Sequence, residues 1–168
     1  MILRVLAATA ACLAVAYPCL AEAPVHEHLP VGPLHFIGAN PQVAQFFVDE
    51  VPKKTGDVVE TWIFYVQNPG VVVRGRPVMQ MLQKKRIDCA AKTSTDLYTA
   101  AWDGAGRRVT EASAAPATPI ASGSSLERVS NIACGTTEPP EMTRVIGNRA
   151  AFRLGLQAIQ HARERAGG

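Results

Sequence analysis

Two cysteines, Cys89 and Cys134, constrain this chain more than any other pair of residues, and their weight comes from the segment that precedes them. The opening stretch MILRVLAATAACLAVAYPCLAEA carries one positive charge, Arg4, then an uncharged apolar run from Val5 to Ala16, then small residues. That pattern is a secretory signal, residues 1–21. A membrane anchor needs about 20 apolar residues, and Pro18 ends this run early. Cleavage after Ala21 or Ala23 fits the small residues there. The second would leave Pro24 beside the cut, where a fixed ring suits a protease poorly, so Ala21 is favoured. Cys19 follows Ala16-Tyr17-Pro18, which lacks the leucine and small-residue pattern of a lipoprotein signal. With Cys12 and Cys19 gone, an exported chain keeps two thiols in an oxidising compartment. The expectation is one disulfide, closing a loop of 46 residues counting both cysteines. A free thiol pair or a zinc site is the competing reading, although zinc wants further thiolates or histidines nearby.

Removing residues 1–21 of 168 leaves 147, enough for one domain with its own core. It also removes Arg4 and no acid, so the formal net charge falls from +3 to +2. So small an excess, without a concentrated basic stripe, excludes a nucleic-acid footprint.

Residues 22–33, which include PVHEHLPVGP, hold three prolines and no periodicity and read as a flexible arm. LHFI (34–37), VAQFFVDEV (43–51) and VVETWIFYVQ (58–67) are rich in β-branched and aromatic residues and read as strands. Turn residues separate them: Pro52 and Gly56 in PKKTGD, then the NPG of 68–70. In VMQMLQKKRIDCAAKT, alternation puts Ile87, Cys89 and Ala91 on one face and sends the Cys89 sulfur to the core side. LYTAAWDGAGRRV alternates Tyr98, Ala100 and Trp102, and DGAG supplies glycines for a tight reversal. Residues 111–123 are small and unperiodic, a crossing loop. SSLERVSNIACG then reads as a short helix: Ser124 with Glu127 makes a capping box, Leu126, Val129 and Ala133 recur at helical spacing, and Gly135 suits the end. After Pro139-Pro140, the positions Met142, Val145, Phe152, Leu156 and Ile159 predict a last helix, with Arg149 and Arg163 falling in the same stripe and Gly147 and Gly155 weakening it.

The series HFIG, FFVDEV, GDVVETWIFYV, RIDCAAK, AWDGAGRRV and PIASGSSLERVSNIAC, over roughly residues 34–134, resembles the bacterial surface-adhesin protein E family. The resemblance rests most on Cys89, the turn from Trp102 to Gly106, and the segment from Pro119 to Cys134. It implies an α+β fold: an antiparallel sheet of about six strands, bearing a short helix tethered by one disulfide, here with an extra C-terminal helix. The domain boundaries expected are 34–135 for the family-like domain and 136–168 for the helical extension. The resemblance further implies an outer-membrane protein that binds host matrix and serum proteins and can pair with itself.

Motifs for chemistry are sparse. His26 and His28 in HEH read as a solvated tail, and His35 and His161 as surface or satisfied core groups, so no metal and no cofactor is expected. Ser122, Ser124 and Ser125 sit at a helix start, where capping accounts for them. Asp49, Glu50, Asp57, Asp88 and Asp103 fall at strand ends or turns, the ordinary place for acids that bind backbone amides. No catalytic constellation emerges, and the chain reads as a non-enzyme. The basic residues Arg74, Arg76, Lys84, Lys85, Arg86, Arg107 and Arg108 form the candidate ligand patch for an acidic polysaccharide, an anionic lipid or an acidic protein surface, provided the strands bring them together; a solvated, pairing-resistant sheet edge is the alternative. Arg144, Arg149, Arg153, Arg163 and Arg165 make weak contact between the last helix and a membrane surface a further expectation, against docking on the parent sheet.

The function expected is an exported, non-enzymatic binding module that presents a sheet surface to a protein or glycan, with self-pairing into a homodimer through an open sheet edge. The alternative is a structural or accessory periplasmic envelope protein. Either is periplasmic, on the outer-membrane surface or secreted.

Overall fold

The computed structural model describes residues 32–68, 71–73, 75–140 and 143–167. The signal segment, the HEH stretch, Arg74 and Met142 lie outside them. Six strands of six residues or more dominate: β1 (Pro33–Ala39), β2 (Val43–Val48), β4 (Val58–Gln67), β7 (Gln80–Asp88), β8 (Thr93–Trp102) and β9 (Arg108–Ser113). Shorter pieces fill in around them. These are β3 (Lys53–Thr55), β10 (Thr118–Pro119) and β11 (Arg144–Ile146), with β5 (Val72–Val73) and β6 (Arg76–Pro77) forming a separate small ribbon.

The main sheet is antiparallel throughout and runs β10-β8-β7-β4-β2-β1-β11; β3 lies against β4 beyond the end of β2, and β9 against β8. Alternation along β4 sorts side chains to two faces. Phe64 and Val66 join Leu34, Phe46 and Leu82 on the first face, whereas Val59 and Ile63 join Phe47 and Ile87 on the second. All nine are buried, so the central strand is covered on both sides.

One helix covers each face. Helix α1 (Ser125–Ala133) lies on the second, with Val129 fully buried beside Ile63 and Ile87. Its start is capped by Ser124 Oγ, which accepts from the Glu127 amide at 3.1 Å; the Glu127 carboxylate accepts from the Gly123 amide, one residue earlier than a capping box places it. At its end Gly135 takes φ +78°, letting its amide reach the Ile132 carbonyl and the Thr136 amide reach that of Asn131. The Cys89–Cys134 disulfide joins this end to the sheet, with Cα atoms 6.0 Å apart.

Helix α2 (Asn148–Ala166) packs on the first face, chiefly over β1, β2 and β4. Its buried residues, Ala151, Gly155, Ile159 and Ala162, keep a spacing of three or four, so the arginines 149, 153, 163 and 165 point outward. Four sequence expectations change: the link PKKTGD contains β3, which its tight turn folds onto β4; the supposed crossing loop 111–123 contains the end of β9 and all of β10, both paired with β8; and two more concern α2 and the Cys89 strand. Val145 belongs to a strand rather than to the helix: it pairs with Leu34, and Gly147 at φ +77° turns the chain into α2. The exposed edge of β1 gives the β-branched pair Val145-Ile146 ladder partners that a helix start would not. The strand carrying Cys89 ends at Asp88, because its carboxylate takes the amides of Ala90 and Ala91 and bends the chain. Cys89 still faces the Ile87 side, but Ala91 is exposed in the turn.

Candidate ligand-binding surface

The first face carries, beyond the residues gathered under α2, two rows of side chains set by strand register. In one, Lys53 of β3, Glu60 of β4, Arg86 of β7 and Thr95 of β8 are successive cross-strand partners. In the next, Trp62, Lys84 and Tyr98 line up across β4, β7 and β8. Direct neighbours across strands stand about 5 Å apart, so each row is in contact along its length.

Lys84 Nζ approaches one Glu60 oxygen at 2.8 Å and Arg86 the other at 2.9 Å. Those two hydrogen bonds, that of Lys84 first, hold the Glu60 carboxyl below the usual carboxylate range. The Trp62 and Tyr98 rings meet edge to face, 6.0 Å between centroids, and the Lys84 ammonium lies 6.0 Å from the indole. Trp62 is half-buried and Lys53 exposed, so solvent reaches both rows.

Six of the seven basic residues singled out from sequence are described, Arg74 being the exception, and they separate into groups. Lys84 and Arg86 share Glu60. Lys85 leaves the patch: the alternation of β7 turns it to the opposite face, where it is buried and paired with Asp96. Beside it burial, then the Asp96 charge, pushes the Tyr65 phenol up. Arg76 and Arg107 both bind Asp103, at 2.9 and 3.0 Å, in the β8–β9 turn. Asp103 also accepts the Ala105 and Arg107 amides, and the Arg107 amide leads in holding its carboxyl below the usual range. Arg108 reaches the Tyr98 hydroxyl at 3.3 Å and stacks over Trp102, which joins it to the second row. Sequence reasoning passed over Lys53, Glu60, Trp62 and Tyr98. The alternation that puts Glu60 with Trp62 on β4, and Tyr98 with Trp102 on β8, was readable, but the lateral pairing of β4, β7 and β8 was not, and Lys53 lies on β3, inside a segment read as a turn.

The other candidate groups have structural partners. His35 is buried, its Nδ1 3.3 Å from the Pro140 carbonyl and its Nε2 3.2 Å from Asp49. His161 is exposed beside Glu164. Among the described residues, no three His, Cys, Asp or Glu side chains converge as metal ligands, and no helix is long and apolar enough to cross a membrane.

The family model for surface-adhesin protein E matches residues 36–135, more than half of the chain. The chain belongs to the surface-adhesin protein E family. It is similar to solved structures of Haemophilus influenzae protein E. One shares 16% identity over 65% of this chain and 88% of that chain, with a TM-score of 0.46. Another, of crystal form II, shares 17% over 55% and 80%, with a TM-score of 0.45. A third, from non-typeable Haemophilus influenzae, shares 16% over 60% and 76%, with a TM-score of 0.41. No curated protein matches the sequence. Membership of the adhesin E family makes this an adhesin-like surface protein, in keeping with the export signal read at its start.

Proposed function

We propose that this protein is an exported, non-enzymatic binding module whose first sheet face, where β3, β4, β7 and β8 run side by side, holds a protein or glycan ligand. The observation that carries the reading is the pair of side-chain rows on that face. They put half-buried aromatics, cations and a carboxylate on rigid neighbouring strands within reach of solvent. Adhesin E membership supports binding rather than turnover. So does the employment of the reactive side chains: Ser124 caps α1, and Asp88 and Asp103 hold turns. The outward arginines of α2 leave that helix free to meet an anionic membrane while it stays docked.

The test is protease digestion of the protein on intact cells, with a periplasmic protein as control and the medium assayed for secreted material. Digestion or secretion is expected, followed by retention of the protein on immobilised matrix proteins or glycans. Protection until the outer membrane is broken would remove the adhesin reading in favour of an accessory envelope protein.

A further inference from the structure

We propose that the hollow along the Lys53–Glu60–Arg86 row, with Trp62 beside it, is a subsite for an acidic sugar: a pyranose ring that carries a carboxylate or a sulfate. The proposal rests on the reading of this face as the binding surface and adds the chemical class of the ligand.

Two adjoining cavities of about 390 and 160 Å³ share Lys53 and Glu60. Side by side they reach the range of about 300–1,000 Å³ in which small-molecule sites fall. The connection from β2 to β3 walls one of them with Glu50, Val51 and Pro52, and Val51 stands 96% exposed on that wall. Trp62 and Lys84 line the same cavity, and Arg86 lines the other.

The chemistry of this lining selects its occupant. Lys53, Lys84 and Arg86 face two carboxylates, Glu60 and, at the wall, Glu50, so the hollow holds an excess of one positive charge. An anionic group is the complement of that excess. Glu60 spends one lone pair of each oxygen on Lys84 and Arg86 and keeps others, while an ammonium and a guanidinium carry three and five N–H donors. Donors and acceptors therefore alternate along the row, as a ring of hydroxyls requires. The indole supplies the remaining element, a flat apolar surface for the C–H face of the ring. An acidic peptide would meet the same cations, but it lacks a ring of hydroxyls that both donate to Glu60 and accept from Lys53 and Arg86.

The experiment titrates the mature, oxidised protein with a heparin-derived hexasaccharide and with hexagalacturonate, following tryptophan fluorescence and heat. Maltohexaose and inorganic polyphosphate serve as controls. At least one acidic hexasaccharide should bind and change the emission of Trp62, since Trp102, the other indole, is 3% exposed. Maltohexaose and polyphosphate should bind far more weakly. The double variant Lys53→Ser/Arg86→Ser should weaken the acidic sugar by about tenfold or more, the scale of a lost charge-assisted hydrogen bond. Both residues are exposed, so folding is not at stake. Trp62→Phe should keep weakened binding and lose the emission change. Equal affinity for polyphosphate and the sugars, indifference to these substitutions, or no binding of either acidic sugar overturns the proposal. If one of these results is obtained while the parent protein still adheres to an immobilised matrix protein, the binding-module reading stands and only the sugar subsite falls.

Discussion

Replacing Gly155 by Ala sets two effects of opposite sign against each other. In the interior of an exposed helix, alanine is favoured over glycine by about 1 kcal/mol, because it restricts the unfolded chain and shields the backbone. Gly155 is not exposed: it is buried where α2 crosses β4, and a Cβ there would stand 2.7 Å from Val66 Cβ and 2.8 and 3.0 Å from its two methyls. Rotating χ1 moves the methyls but leaves the Cβ, which is fixed to the backbone of a central strand paired on both sides, at a position that is itself fully buried. The helix has to lift instead. Overpacking of this kind costs about 1–3 kcal/mol. Subtracting the helix gain leaves a net loss of about 1 kcal/mol, or roughly 2–4 °C in Tm for a chain of this size. Urea unfolding of the oxidised protein, followed by circular dichroism, measures it. In a Val66→Ala background two of the three close contacts are gone, so the same substitution should cost less. A Gly155→Ala protein as stable as the parent, or more stable, would refute the close approach of α2 to β4.

Two further predictions concern the staple and the charges. Replacing both Cys89 and Cys134 by Ser should lower stability by up to about 4 kcal/mol, the loop-entropy value for 46 residues, and should speed amide exchange in α1; a loss under about 1 kcal/mol would show that α1 holds without it. Acid should destabilise the fold through Glu60 and Asp103. Their folded pKa values lie below the ordinary 4.5 and 3.8, so their contribution is present above those values and is lost as pH falls through the lower, folded ones. Urea midpoints measured from pH 7 down to pH 2 should drop below about pH 4, and less so in Glu60→Gln and Asp103→Asn; an equal drop in the variants would place the acid sensitivity elsewhere.

Much of the architecture was legible because it is written in short-range patterns. The alternation of VVETWIFYVQ marked β4 to the residue, and Ser124 and Gly135 bounded α1 within one position. Segments that depend on distant partners were not. Arg144-Val145-Ile146 continues a helical stripe in sequence, yet it is a strand because β1 has an edge to fill. Gly155 reads as a flaw in a helix until Val66 is seen beneath it. The KKR run reads as one basic cluster, and parity then sends Lys85 through to the other face.

The sequence alone determined the disulfide pair, five of the six principal strands and the capped helix, since each depends on residue chemistry or on periodicity within some ten residues. Only the tertiary structure decided which strands adjoin, and with that the candidate site. Lys53 and Glu60 face each other across the tight turn at Gly56-Asp57, but Arg86, 26 residues beyond Glu60, joins their row only through the register of β4 and β7. Register is set by the burial of two whole faces at once, and no local stretch of sequence carries that information.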